Sequence, residues 1–532
     1  LSEFLQLLDA VQKGVGKWSP DAGYVGGKVN RLNESWRPKN RTADSEIRKD
    51  YELLTARSRW LGRNNPWCVN AAEQLVDNII GEGVQTRATV RDGDGKLMKA
   101  WNRQANDLYS RWQEQADIAG RMHYHMMTRT NLFQTIESGD GFIIETASND
   151  PNRLVPIAFE LIEPDQIDIT KDRPGTESQN KIVRGIEFDK NGRRVAYHMW
   201  TQHPGDFYSG ILQSERVEAC RVIHLFKAKR ASQTRGASWF APIVSVLWNS
   251  YDYMSYEISS AKVASMFIYM LKREFGDSTE GLGFVDKNGD PAPRDAHGNA
   301  EAPIGAGIGL YGGPKDSLEV IQSQRPNGNA VPWLKFMLQM MASGVGLSFQ
   351  RFSGDFSQTT FSSARAADLQ DRKGFVPAQH WHAWYVDCEI RKRVTRQLIA
   401  AGELKVPAGG TVRFERSQEK WLACQARPPG WGYVDPEKQI AASLAAISGG
   451  LSTWEKELAE RGLDRDEVFE TLAEEIDQLA ELGLEKVLEK MFSQPKAGRP
   501  PAGDSGQPAP DPANTGAEER LAAKWREEDA DA

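Results

Sequence analysis

PWLKFMLQMMASGVG (332–346), LSFQRFSGDFSQTT (347–360) and FSSARAADLQDRKGFVPAQHWHAWYVDCEIRKRVTRQLIAAG (361–402) read as helix, loop and longer helix. Pro332 suits a first helical turn, where its missing N–H costs nothing. Leu334, Met337, Leu338, Met341 and Val345 recur at helical spacing and make one apolar face. Gly344 and Gly346 loosen the end of that helix. The loop mixes aromatics with Arg351, Asp355 and small hydroxyl residues, and Ser362 or Ser363 is expected to cap the second helix.

Outward from this stretch, composition sets bounds. The chain has 532 residues, 40% hydrophobic and 26% charged, which is globular composition and enough for about two to four domains. No apolar run approaches the length of a membrane span. The start, LSEFLQLLDAVQKGVGKW, has acidic residues inside a short amphipathic pattern, unlike a secretory signal. With Leu at position 1, preceding residues are expected to be absent or processed off. Cys68, Cys220, Cys388 and Cys424 lie far apart, so neither a zinc site nor a disulfide framework is signalled. They read as buried thiols of a reducing compartment.

The net charge of -7 argues against a protein that grips DNA through its phosphates. The charge is also unevenly spread. Residues 28–63 hold ten Lys/Arg against five Asp/Glu, whereas 431–490 hold six against fifteen. Either region suits a solvated face, and together they describe an object whose ends meet different surroundings.

In chain order, an arm at 1–45 precedes helical patterns at 45–81 and 98–136. From Gly139 the period becomes two: GFIIETAS, LVPIAFELI, DQIDIT, KIVRGIEFD, RVAYHMW and RVIHLFK read as strands. Residues 237–272 read as one rod about 45 Å long, apolar on most faces, which neighbours must cover. The Gly/Pro-rich segment 275–328 reads as a small β module. GTVRFER (410–416) reads as a strand, 435–491 as acidic helices, and the residues beyond Ser493 as disordered.

Catalytic patterns were weighed against plainer readings. Residues 286–297 imitate a calcium loop but place Pro291 and His297 where Gly and Glu belong, so a hairpin turn is expected. Asp92-Gly-Asp94-Gly-Lys96 lacks the spacing of a phosphate loop. His123 with His125, and His380 with His382, are two apart and on a helix would face different ways, which suits packing more than metal binding. The acids at 464–477 have helix-surface spacing. No catalytic residue, metal site or cofactor is expected.

Several pieces together resemble the lambda-type family of bacteriophage portal proteins, across about residues 30–485. They are RSRWLGRNNP (57–66) with VDNIIGEGV (76–84), ESGDGFI (137–143) with FELIEPDQI (159–167), and IVRGIEFDKNGRRVAYH (182–198) with HLFKAKRASQTRGASWFAPIV (224–244). FSGDFSQTTFSSARAADLQ (352–370) is the most specific, and GWGYVDPEKQIAA (430–442) with LAEEIDQLAELGL (472–484) completes the set.

The resemblance implies an α+β portal fold assembled as a cyclic ring of about twelve copies. By that resemblance, 1–45 is an N-terminal arm, 46–236 a wing, 237–274 and 331–345 two stem helices, and 275–330 a clip. Residues 346–361 become a tunnel loop, 362–430 a tunnel-side helix and return to the wing, 431–492 a crown, and 493–532 a disordered tail. Phe349, Gln350, Arg351 and Phe352 become candidates to face DNA, and Leu247, Tyr251, Met254, Ile258, Leu334, Met337, Leu338 and Met341 to pack the stem. The implied setting is the portal vertex of a virion, reached from the host cytoplasm during assembly. The implied partners are double-stranded DNA, the terminase large subunit, a head–tail connector and the major capsid protein, with no membrane. A negative wall suits a conduit that must not hold DNA. The alternatives are a shell or adaptor protein that never touches DNA, and a DNA-processing enzyme.

Overall fold

The computed structural model describes residues 31, 34–207, 212–265, 269–273, 316–320, 328–357, 359–407, 414–432 and 435–483. Three helices come first: α1 (Ala43–Ile47), α2 (Tyr51–Asn64) and α3 (Pro66–Ile79). The Asn-Pro break between α2 and α3 has a local cause. The Asn65 side chain accepts from the N–H groups of Trp67 and Cys68, while Pro66 occupies the first turn. Cys68, Ala71, Ala72, Leu75, Val76 and Ile79 bury one face of α3.

The helical pattern expected over 98–136 divides into α4 (Lys99–Gln113) and α5 (Tyr124–Ser138). Asp117 causes the break, because its carboxylate accepts from the backbone N–H groups of Ala119, Arg121 and Met122. Trp112 lies at the centre of the core these helices form. It is stacked on Tyr109 with centroids 5.3 Å apart, and its indole N–H donates to the Ile157 carbonyl at 3.0 Å.

The period-two region folds as two antiparallel sheets. In the first, β2 (Asp140–Ala147) lies between β3 (Ile157–Ile162) and β8 (Val222–Phe226). Both of its faces are buried. Ile143, Ile157, Phe159, Ile223 and Leu225 join the helical core, while Phe142, Ile144, Ile162 and Val222 join a second cluster with Ile167, Ile186, Tyr197 and Met199. A sheet covered on both sides explains the near-continuous apolar run GFII. The second sheet runs in order β4 (Lys181–Val183), β5 (Ile186–Phe188), β6 (Arg194–Trp200) and β7 (Ser214–Glu218). The strand expected over KIVRGIEFD is two strands, because Arg184 and Gly185 both take positive φ, 48° and 78°. The hairpin turn at 189–192 joins β5 to β6, as its Asp-Lys-Asn-Gly sequence predicts. The strand expected at DQIDIT is a short 3-10 turn at Pro164–Gln166 followed by a single bridge from Ile167 to Met199.

The rod expected over 237–272 is shorter. Helix α6 is Val244–Ser265, 22 residues or about 33 Å. Residues before it turn tightly, with the Trp239 N–H donating to the Ile136 carbonyl. After it, β9 (Tyr269–Arg273) pairs antiparallel with β10 (Asp316–Val320). The calcium-loop imitation at 286–297 and most of 275–328 lie outside the described residues. Helix α7 is Ala330–Val345, α8 is Phe349–Ser353, and α9 (Phe361–His382) continues through a π-helical segment, Ala383–Asp387, into α10 (Cys388–Ala400). The described part of GTVRFER, 414–416, is a helical turn, and the short helix α11 (Gln418–Trp421) follows. The strand lies further on as β11 (Cys424–Arg427), which pairs with β1 (Gln85–Ala88).

From Glu437 a second unit begins, with α12 (Pro436–Ser448), α13 (Trp454–Ala459) and α14 (Arg465–Glu481). Asp464 caps α14, accepting from the N–H groups of Asp466 and Glu467. Among the described residues no helix is long and apolar enough to cross a membrane.

A buried polar knot ties the first unit together. Asp140 accepts through Oδ2 from Tyr51 Oη and Arg235 Nε, each at 2.9 Å. Through Oδ1 it accepts from His224 Nε2 at 3.0 Å and the Gly236 N–H at 2.5 Å. Arg235 also donates to Tyr51 Oη and the Pro164 carbonyl. Burial alone would raise the Asp140 carboxyl, but Arg235, His224 and Gly236 outweigh it and hold it well below the usual range. Burial pushes His224 down to about 4, so it stays a neutral donor. Glycine makes the knot possible: a Cβ on Gly236 would lie 1.8 Å from the Gly139 carbonyl oxygen.

Asp140→Asn is therefore expected to cost about 3–5 kcal/mol in denaturant unfolding, since it leaves Arg235 buried without its counter-charge. An unchanged midpoint would remove the knot from its central place. His224 gives a separate pH signature. Its folded pKa lies below its unfolded value, so the unfolded chain binds the proton first and stability falls as pH drops from about 6.5 to 4. His224→Gln is expected to flatten that limb in a series of unfolding midpoints.

Candidate functional site

Helices α6 and α7, with the segment 346–361 beyond α7, form the candidate site. Where α6 meets α7, the rings of Tyr253 and Trp333 lie 4.4 Å apart. Leu247, Leu338 and Met341 are buried at this end. The approach is close: a Cβ on Gly344 would lie 2.5 Å from Ile243 Cγ2. Of the other predicted stem residues, Met254, Leu334 and Met337 are half-buried, Tyr251 is 39% exposed and Ile258 55% exposed. Tyr251 and Trp248 both pack edgewise or stacked among Trp60 and one another at about 6 Å. Beyond these, Tyr256 (66%), Phe336 (62%) and Met340 (43%) stand largely in solvent. A surface this apolar is of the kind that another chain covers.

The loop expected over 346–361 contains helix α8. Ser348 caps it, accepting from the Arg351 N–H and donating to Asp371 Oδ2 at 2.7 Å. Arg351 does not project freely. Its Nε donates to Asp371 at 3.0 Å, and Nη2 to Asp368 at 2.5 Å, while Arg372 reaches the other oxygen of Asp368. Asn70 on α3 donates to the carbonyls of both Arg351 and Phe352, at 2.7 and 3.0 Å. Phe352 is fully buried, so it faces the core of its own chain. Phe349 is half-buried with the Lys335 ammonium 5.3 Å from its ring, and Gln350 lines a pocket of about 420 Å³ with Arg351 and Asp355's neighbours Gly354 and Phe356. The exposed groups of the loop lie further along, Phe356 (57%) and Phe361 (64%), and the Ser357 hydroxyl and N–H hold the Asp355 carboxyl below its ordinary value. The cap of α9 is Thr360, two or three residues before the expected serines; it forms a reciprocal capping box with Ser363.

The profile of the family described as phage portal protein, lambda family, matches residues 29–379. The chain belongs to that family. It is 25% identical over 475 residues to the probable portal protein of Halomonas phage phiHAP-1, covering 86% of each chain. To portal protein B of Escherichia phage lambda it is 23% identical, covering 84% of this chain and 88% of that one. Among solved structures it is similar to a chain of the virion of a native gene transfer agent particle, with TM-score 0.42 and 11% identity, covering 78% of this chain and 93% of that one.

Other clusters in this portal-family chain read as structural. At the π-helical segment, Asp387 accepts from Tyr124 Oη and pairs with His382 Nδ1, each at 2.8 Å and all buried. His382 is thus a packed group, while His123 caps α5. Among the described residues Glu163, Asp165 and His203 are close enough to share a cation. Arg59 already occupies that position, 2.5 Å from Asp165 and 3.4 Å from Glu163. His203 Nδ1 accepts from the Gly205 N–H, which leaves the proton of the neutral ring on Nε2, facing Glu163. A protonated Nε2 offers no lone pair to a cation.

The Asn70 clamp yields a direct test. Asn70→Ala is expected to remove two hydrogen bonds worth about 1 kcal/mol each and to speed limited proteolysis within 354–359 several-fold. Cleavage at the parental rate would show that α3 does not restrain the loop.

Proposed function

We propose that this chain is a phage portal protein: a non-enzymatic ring at one capsid vertex through which double-stranded DNA passes during packaging and ejection. One observation carries the reading beyond family membership. Helices α6 and α7 present Tyr256, Ile258, Phe336 and Met340 to solvent in the single chain. Burying one such side chain is worth about 1.5–3 kcal/mol, so the surface calls for a neighbour. A second copy placed by rotation supplies one, and repetition closes a ring of about twelve chains.

In that ring 346–361 is the tunnel loop and lines the narrowest passage. The loop's inner members have a different task from its outer ones. Arg351, through Asp368 and Asp371, and Phe352, through the core, anchor the loop. Gln350 and the segment 354–361 are what remains to meet the channel. The negative net charge limits phosphate contacts along the wall and so favours sliding over binding. The named relatives are portal proteins of phages, which supports a place in the virion. The clip segment, 275–330, is the proposed platform for the terminase large subunit and later for a head–tail connector, with the major capsid protein outside the wing.

Native mass spectrometry is expected to find an assembly of roughly 700 kDa, about twelve chains of 59.4 kDa. Phe336→Ser with Met340→Ser is expected to leave the circular dichroism of the chain unchanged and to shift it toward monomer. Monomers of the parental chain under all salt conditions would defeat the proposal.

A further inference from the structure

A groove on the far side of α9 has the composition of a built recognition site. Its walls are Phe226, Trp239, Trp381 and Tyr385, its floor includes His224, and Arg194 and Lys227 stand at its edge, around a volume of about 530 Å³. Trp239 and Trp381 lie 6.2 Å apart. The Lys227 ammonium is 4.6 Å from the Trp239 ring, and the Arg194 guanidinium 5.0 Å from Phe226. Arg194 hydrogen-bonds the Thr234 carbonyl. No carboxylate lines this groove, although Arg194 also lines an adjoining pocket that holds Glu389. Beyond the rim, Trp384 (69%) and Tyr385 (59%) remain exposed. Two cations over aromatic walls, without an acid, complement a carboxylate next to an aromatic ring. The volume admits one or two side chains and excludes a DNA duplex.

We propose that this groove receives the Asp355–Phe356 segment of a second copy of the chain, so that each tunnel loop latches onto the α9 groove of its neighbour. The inference rests on the ring reading above. Asp355 and the exposed Phe356 are the matching carboxylate and ring. They cannot reach the groove of their own chain: α9 starts at Phe361, and the groove's residues Gly374 to Trp381 lie about 20–30 Å further along that helix. The latch requires that, in the ring, the start of one α9 come near residues 374–381 of the α9 of the next copy. The latch joins the loops into one collar, in which Phe356 serves the ring interface and the remaining loop surface meets DNA.

The test places p-benzoylphenylalanine at Phe356 of the full chain, irradiates the assembled particle, and maps the cross-links by mass spectrometry. Cross-links between two chains, ending in 374–385 or at Trp239, are the expected result. The same label at Phe207, on the exposed loop between β6 and β7, is expected to give none there. Cross-links of Phe356 to packaged DNA, to residues elsewhere, or groove cross-links from Phe207 in its place would overturn the latch while the ring stands. Absence of any ring by native mass would overturn the reading beneath it. Charge reversal gives an independent arm: Lys227→Glu and Asp355→Lys are each expected to weaken assembly roughly tenfold, and the double variant to recover most of it. Equal, additive losses with no recovery would also overturn the latch.

Discussion

Everything in the first unit hangs on one buried carboxylate. Asp140 sits at the junction of α5 and β2 and collects donors from α2, β8 and the residues that lead into α6. A charge removed from water is tolerable only when its hydrogen-bonding capacity is filled, and here four donors fill it. The cost of leaving any of them out links α2, the central sheet and the start of α6. Arg235 and Gly236 lead directly into Trp239 and Val244, so the start of α6 is tied to this polar contact. The apolar contacts around it are many and individually replaceable; this one has a single geometry.

The second constraint is the reverse: apolar surface that the single chain leaves in water. Helix α6 is covered near its start, where Leu247 is buried, and bared toward Tyr256 and Ile258. Helix α7 shows the same gradient, with Met341 buried and Phe336 exposed. Cover from the chain itself is therefore greatest near the start of α6 and the end of α7. Such a gradient suits an element that packs laterally on copies of itself. The loop beyond α7 combines both constraints. Its inner side is held by Asp371 and Asn70, and its outer side offers Phe356 and Phe361.

Much of this was legible in residue order. The Asn65-Pro66 break, the apolar face of α7 and the alternation along β2, β3 and β8 follow from capping chemistry and side-chain period, which act over a few residues. The same local reasoning overran in places. It continued α6 to 272, although Tyr269–Arg273 instead pairs with Asp316–Val320, because β pairing with a segment more than forty residues away outweighs a weak local helix preference. It joined α4 to α5, because nothing in the pattern announces that Asp117 will gather three backbone donors. It merged β4 with β5, where Arg184 takes a left-handed turn.

The sequence by itself determined the family, the order of helices and strands, the polarity of the two ends, and which helix faces are apolar. These depend on composition, period and the motifs that carry the resemblance. Only the tertiary structure decided which groups are free to act. Arg351 and Phe352, prominent in the loop as sequence, are committed to Asp368, Asp371 and the core, whereas Phe356 is left outside. Nothing in the sequence singled out Asp140; Tyr51, His224 and Arg235 converge on it from 89, 84 and 95 residues away. The physical reason is common to both cases: a charged side chain takes the partner that most fully replaces its lost water, and that partner is chosen by packing in space, not by proximity along the chain.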